Sequence, residues 1–460
     1  MPDSTPLSGH AVVLGGSMAG LLTARVLTDH FPRVTIVERD TFPAGPDHRR
    51  GVPQGHHTHG LLASGRDTLD HLFPGFSAAL IAAGAVSGDV LGDCRWVFEG
   101  APLARPRSDM RALMCTRPFL ESQVRARVLA LPSVSLMSGV QADGLEVDGR
   151  AARVTGVRLQ GGDSISADLV VDATGRGSRA PQWLREMGFA APSEDRVDVG
   201  LSYVTRFFRR EVHHLQGDLA AIVPPTPHGK RGGVMLAQES NRWTVTLIAH
   251  FVEPAGSALE SFRAFTRHLA VPDIHDVVSV AEPLGDAVGA RFPASVRRRY
   301  ERLTRWPEGF VVTGDAVCSF NPIYGQGMSV SALEAMALGD VLSSSRGDVG
   351  RRFFQRAARI VDGPWTTAVG NDLRMPEAGG PRSAISRVIN AYVARLHRAA
   401  HTDGELSQRF MRVANLLDEP PALFAPRVVW RTLRPRRHPG SRLPSLDSTA
   451  SGRGATLRSV

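Results

Sequence analysis

Two glycine-rich segments about 300 residues apart hold the residues of this 460-residue chain best suited to chemistry. Gly15-Gly16-Ser17-Met18-Ala19-Gly20 follows the apolar run Ala11-Val12-Val13-Leu14 and precedes a helix-like stretch to Leu27. That strand, turn and helix context is where a G-x-G-x-x-G pattern binds a dinucleotide. Gly15 permits the tight turn, the small residues up to Ala19 let backbone approach a pyrophosphate, and Gly20 lets helix and strand pack closely. The helix N-terminus then faces the phosphate charge. Ser17 stands where a second glycine is usual, and its small hydroxyl can donate to a phosphate oxygen. The next apolar run, Val34-Thr35-Ile36-Val37, ends in Glu38, where a ribose hydroxyl needs an acceptor, with Arg39 beside it.

These motifs need a sheet to carry them. Asp168 to Gly175 and Phe310 to Thr313 read as further buried strands of the cofactor sheet. Leu201 to Phe207 and Trp243 to Ala249 alternate with period two, as half-buried antiparallel strands do. After Met328 the spacing of Phe353, Phe354, Ala357, Ile360 and Val361, and of Ile385, Val388, Ile389, Tyr392 and Leu396, is helical. The expected fold is α/β: a Rossmann-like domain interleaved with an antiparallel sheet domain and followed by helices. The cofactor domain is expected over 1–75, 105–185 and 290–345, and the substrate domain over 76–104 and 186–289. A helical region at 346–432 and a flexible basic tail at 433–460 complete the chain.

Composition narrows the function. No run of eighteen apolar residues and no signal-type leader occurs, so cytoplasmic residence without stable membrane insertion is expected. Cys94, Cys115 and Cys318 frame neither a disulfide scaffold nor a zinc site. The net charge is +9, but the arginines are spread along the chain and not interleaved with aromatics on one element, the clearest cluster being Arg431, Arg434, Arg436, Arg437 and Arg442, which argues against a nucleic-acid partner. His48, His56, His57 and His59 crowd one segment without a supporting carboxylate pattern, so no metal is expected there.

The second segment runs from Gly314-Asp315-Ala316 to Pro322-Ile323-Tyr324-Gly325-Gln326-Gly327-Met328. It resembles the FAD-dependent monooxygenase superfamily with the p-hydroxybenzoate hydroxylase fold. The stretches His48 to His59, Asp168 to Arg179 and Gly314 to Met328 most resemble the flavin epoxidase branch of polyether-antibiotic biosynthesis. The resemblance implies that Asp315 holds the ribityl chain of FAD and that Pro322, Gly325, Gly327 and Met328 pass beside the isoalloxazine ring. Arg117, in Thr116-Arg117-Pro118, and Arg50 are the arginines it implies near the diphosphate and ribityl region. A helix beginning near Gly327 would aim backbone N–H groups at the ring.

The implied activity is transfer of one oxygen from O2, through a flavin C4a-hydroperoxide, to an apolar alkene-bearing polyketide- or terpenoid-like substrate. Epoxidation is favoured. NAD(P)H is the electron donor that the resemblance implies, although no second strand-linked glycine fingerprint is present. The flavin carries the chemistry, no catalytic side chain is assigned, and Phe320, Tyr324 and Met328 are candidates to face the reaction space. The alternatives are a flavoprotein cyclase that uses FAD as a scaffold for a pericyclic closure, and an aromatic hydroxylase. A halogenase is disfavoured by the absence of a W-x-W-x-I-P segment.

Overall fold

Every residue of His10–Leu14 is buried, as a strand covered on both faces must be. In the computed structural model, which describes residues 9–149, 152–344 and 347–434, this strand is the centre of a five-stranded parallel sheet. The order is Phe310–Val312, Leu169–Asp172, His10–Leu14, Arg33–Glu38 and Val134–Ser138. Both expected late strands therefore return to the first one. The helices Arg117–Leu129 and Gly327–Ser344 each pack against Met18–Leu27, and all three share one core with the sheet, including Leu21, Val124, Val170 and Leu338.

A second sheet of eight strands carries Glu194–Arg209 and Arg242–His250 side by side, with Thr205 opposite Thr246. One face buries Val204, Phe208, Trp243 and Val245 against Phe262 and Ile274 of two short helices. The other face, through Tyr203, Ile248 and Phe292, packs against Leu373 and Met375.

Two domain boundaries move from where the sequence placed them. Val288–Arg298 pairs with Glu194–Thr205 in the second sheet, so the last cofactor segment starts after it and not at 290. Phe292, Ala294, Ser295 and Arg297 are buried in this strand while Arg291 and Pro293 are exposed, and its ladder shifts register at Pro293, so the half-buried strand pattern is irregular. Phe76 and Leu80, expected in the substrate domain, sit instead in the cofactor core, while Cys94–Phe98 does join the second sheet.

Beyond the cofactor motif the chain is helical. Val349–Asp372 lays Phe353, Phe354 and Val361 on the cofactor core. Ala384–Ala400, Gly404–Ala414 and Pro426–Leu433 gather Leu396, Leu406, Met411 and Val428 into a separate cluster against Leu91 and Leu103. Ser383 and Asp403 cap the first two of these through side-chain bonds to backbone N–H groups. Of the expected tail, residues 435–460 lie outside the described residues. The three cysteines are buried and free. Among the described residues, no helix is long and apolar enough to cross a membrane.

Trp243 is fully buried at the centre of the second sheet's helix-covered face, and its indole N–H donates to His214 Nδ1 at 3.2 Å. Trp243→Ala is expected to cost about 3–5 kcal/mol of stability. Denaturant unfolding checks this, with a shifted midpoint as the expected signal.

Candidate functional site

The carboxyl ends of His10–Leu14 and Leu169–Asp172 meet so closely that only glycine fits between them. Gly15 has φ +98°, and a Cβ there would lie 2.7 Å from the Ala173 carbonyl oxygen. A Cβ on Gly20 would lie 1.8 Å from the Gly15 carbonyl oxygen. The turn between them is pinned by Gly15 N–H on Val37 (2.8 Å) and by Gly16 N–H on Glu38 Oε2 (2.7 Å).

In front of this turn opens a cavity of about 510 Å³. Gly15, Ser17, Ala19, Glu38, Arg39, Arg50, Arg117, Asp315, Pro322, Gly325, Gly327 and Met328 all line it, so both glycine segments face one space. Gly16 and Gly20 shape it from behind. Six arginines line it (Arg39, Arg49, Arg50, Arg117, Arg176 and Arg179) against two carboxylates, Glu38 and Asp315, a balance suited to an anionic ligand.

Several of these charges are held by a buried network. Glu121 accepts from Ser17 Oγ (2.9 Å), Arg49 Nε (3.1 Å) and Arg117 Nε (3.3 Å). Arg117 Nη2 also donates to Ser17 Oγ at 2.9 Å, and Arg49 Nη1 lies 3.2 Å from Glu38 Oε2. Burial would raise the Glu121 pKa, but the charges of Arg117 and Arg49 and the bonds from Arg49 and Ser17 bring it below the ordinary value.

One expectation changes here: the Ser17 hydroxyl is committed to Glu121 and so is not a free phosphate donor. Arg50 lines the cavity at its exposed rim, and its neighbour Arg49, which also lines it, is buried and ion-paired beneath the turn.

At the other end, the helix Gly327–Ser344 begins at the cavity wall and points its first N–H groups towards it. The Asp315 carboxylate has no hydrogen-bond partner among the described residues. Burial raises its pKa, opposed by the Arg176 and Arg117 charges. Behind it, fully buried Glu334 accepts from Gly314 N–H (2.6 Å) and Thr313 Oγ1 (2.9 Å), fixing the turn at Gly314. Burial pushes Glu334 up to about 7.

Phe320 and Met328 line the cavity, but Tyr324 does not. Its hydroxyl turns away to donate to Asp372 Oδ1 at 2.8 Å, an oxygen that also accepts from Asn321 Nδ2 at 2.9 Å. Asp372 ends the helix Val349–Asp372, so the helical region locks the loop from outside.

The third wall is the second sheet. Thr58, Thr205 and Thr246 form a hydroxyl chain, Thr58 to Thr246 at 2.5 Å and Thr205 to Thr246 at 2.6 Å. It docks the histidine-rich loop on the strands. His57 Nδ1 lies 2.8 Å from Thr205 Oγ1, and its ring meets Tyr203 edge-on at 4.4 Å. Burial, with His56 and His48 nearby, lowers His57 to about 4, so it is neutral at physiological pH. His48 and His56 stack on each other at 3.7 Å. Among the described residues, no group of three metal-type ligands is found.

The cavity fits FAD: side chains would fill the space at the glycines, the arginines supply countercharge, and Asp315 presents an unpartnered carboxylate. Sequence reasoning missed Arg49, Glu121, Glu334 and Asp372. Two had a signal, since Glu121 stands four residues after Arg117 and Glu334 is a lone acid in the apolar stretch from Met328 to Leu338. Asp372 had none.

A family model described as an FAD binding domain matches residues 9–350. Protein Rv3254 of Mycobacterium tuberculosis is 35% identical over 431 residues, spanning 89% of this chain and 90% of that protein. In fold the chain is similar to PqsL, a probable FAD-dependent monooxygenase from Pseudomonas aeruginosa (16% identity, 87% of this chain and 99% of that one, TM-score 0.59). It is also similar to the flavin-dependent brominase Bmp2 (14% identity, 89% and 94%, TM-score 0.62). A third likeness is to the Diels-Alderase PyrE3 of pyrroindomycin biosynthesis (15% identity, 89% and 80%, TM-score 0.58). At these identities the likeness to solved structures concerns the fold alone.

Two outcomes follow from the geometry. Asp315→Ala is expected to weaken FAD binding roughly tenfold or more, read by titration of apoprotein with FAD; unchanged affinity contradicts the placement. Glu334 has a folded pKa above its unfolded value of 4.5, so the native state holds the extra proton. Its contribution is complete below the unfolded pKa and is lost as pH rises through about 7. The thermal midpoint is expected to fall between about pH 5 and pH 8, and Glu334→Gln to flatten that decline.

Proposed function

We propose that this chain, which belongs to the FAD-binding domain family within the FAD-dependent monooxygenase superfamily, transfers one oxygen atom from O2 to an apolar, alkene-bearing substrate. The observation that carries this reading is the composition of the cavity's reaction end. Beyond Asp315, the wall between the Pro322–Gly327 loop and the second sheet includes Phe320, Met328, Tyr203, Phe292 and neutral His57, with Arg176 over the Phe292 ring at 5.2 Å. Such a wall holds an apolar molecule and offers no strong base.

In this reading the backbone around Gly15 and Ala19, with Arg49 and Arg117 behind it, holds the diphosphate of FAD, and Glu38 meets a ribose. Asp315 takes the ribityl chain. Backbone N–H groups at Gly327 and Met328 face the ring. Bound FAD supplies the redox chemistry, accepting electrons from NAD(P)H and activating O2. The protein's own part is to hold the substrate double bond beside the ring and keep water out. The tyrosine and phenylalanine of the sheet face give that exclusion, and His57 offers a neutral polar edge that orients a substrate oxygen. Epoxidation suits this wall better than hydroxylation of a phenol, for which a base is useful.

A second reading, cyclisation of a polyene with FAD as a scaffold, draws support from the likeness in fold to the Diels-Alderase PyrE3. The same cavity serves both. Incubation of candidate alkenes with NADPH in air, followed by mass spectrometry, distinguishes them. The proposal expects a product heavier by one oxygen atom, labelled when ¹⁸O2 is used, and no turnover without oxygen. Turnover that continues anaerobically, with an isomer of the substrate as product, overturns it in favour of cyclisation.

A further inference from the structure

The sheet face at the reaction end of the cavity reaches further than the cavity does. Tyr203 and Phe292 line the cavity, and Val197, Val199, Leu201 and Ile248 continue the same apolar cluster beyond it. What covers this continuation is neither helix nor strand. It is the irregular segment Leu373–Arg382, strung between the helices Val349–Asp372 and Ala384–Ala400, and it buries Leu373, Met375 and Ala378 on the sheet.

This strap is tied more firmly to itself than to the sheet. The Arg382 guanidinium donates to the carbonyls of Leu373 (3.2 Å), Met375 (2.8 Å), Pro376 (3.1 Å) and Ala378 (2.8 Å), which makes the segment a compact loop with close ends, able to move as one body. Its ends are fixed, since Arg374 donates to Glu99 (2.6 Å) and Asn371 (3.3 Å), and Ser383 caps the next helix. Between the ends, polar contact with the sheet is slight among the described residues. Gly379 and Asp198 exchange two backbone bonds of 3.2 Å, and half-exposed Glu377 pairs with Lys230, at the foot of the hairpin that joins Ala220–Val223 to Arg231–Gln238. Lys230 is the only lysine among the 54 basic residues of the chain. An ammonium meets a carboxylate as a point charge, whereas an arginine grips it with a two-pronged fork, so this contact is the more easily released.

We infer that Leu373–Arg382 is the gate by which an apolar substrate enters the cavity, and that the Lys230–Glu377 pair is its latch. The inference rests on the reading of the reaction end as a site for an apolar molecule. Lifting the strap uncovers an apolar floor that runs on to Tyr203 and Phe292. An apolar substrate crossing that floor replaces the contacts of Leu373, Met375 and Ala378 with its own, so the packing lost on opening is offset. The flexible thioether of Met375 suits a surface that must let go and repack. Closure then shuts water out of the reaction end.

A reversible lock tests the gate. The native cysteines are buried, and a Cβ at Gly379 would stand 3.4 Å from that of Asp198, close to the separation across a disulfide. Asp198→Cys with Gly379→Cys therefore fastens the strap when oxidised, as mass spectrometry confirms, and frees it when reduced. The probe is N-phenyl-1-naphthylamine, an uncharged apolar fluorophore, mixed in a stopped flow with the full-length, FAD-loaded protein and followed by energy transfer to the flavin. Oxidation of the lock is expected to slow association roughly tenfold or more, and reductant to restore it. Glu377→Gln should speed association and release alike by roughly two- to fivefold, with equilibrium affinity, flavin absorbance and thermal midpoint unchanged. Lys230 reports the latch without any ligand: its acetylation by an N-hydroxysuccinimide ester should be faster in Glu377→Gln and slower in the oxidised lock. Probe that binds the native protein and the oxidised lock at the same rate overturns the gate and leaves the apolar reading of the cavity standing. Acetylation indifferent to both changes overturns the latch. A native protein that does not bind the probe contradicts the apolar reading and the gate with it.

Discussion

The site depends on a contact of backbone with backbone. The strand ending at Leu14 and the strand ending at Asp172 run parallel and adjacent, so the chain leaving the first must turn under the carbonyl of Ala173. Only Gly15 can do so, and only Gly20 lets the next helix start over that turn. A side chain at either position would push helix from sheet and close the cavity. Because Phe310–Val312 is the next strand outward, the same geometry delivers the second glycine segment to the same mouth. Ligands of open α/β sheets bind at such strand ends.

Around this contact the protein has fixed its charges before any ligand arrives. Arg49 and Arg117 are aimed by Glu121, and Glu38 is held by the turn it faces. The loop at Pro322 is held from below by Glu334 through Gly314 and from outside by Asp372 through Asn321 and Tyr324. Burial keeps both carboxyls prone to carry a proton, since burial favours the neutral form. The result is a rigid anion-binding end and a ring-binding loop clamped by a helix from the C-terminal region. That helix is therefore part of the site and not an appendage.

Much of this was legible in the residues. The glycine motifs, the strands they follow and the helical periodicity after Met328 are local signals, and each appears where its pattern puts it. Side-chain direction was less legible. Nothing in His48-Arg49-Arg50 says which arginine turns inward, because the segment is a loop without periodicity, and Glu121 decides it from 72 residues away. Tyr324 reads as a pocket aromatic, yet an aspartate 48 residues later draws its hydroxyl out. Val288–Arg298 hid as a strand because Pro293 and buried Ser295 and Arg297 make its alternation irregular, and only its ladder with Glu194–Thr205 makes it plain.

The central claim is that one FAD lies across both glycine segments. A crystal structure of the protein with FAD tests it most directly. The diphosphate is predicted beside the Gly15–Ala19 turn, the ribityl hydroxyls on Asp315, and the ring edge against the backbone at Gly327 and Met328. Density for FAD elsewhere, or a diphosphate at this turn with the ring directed away from the Pro322–Met328 segment, would contradict the account.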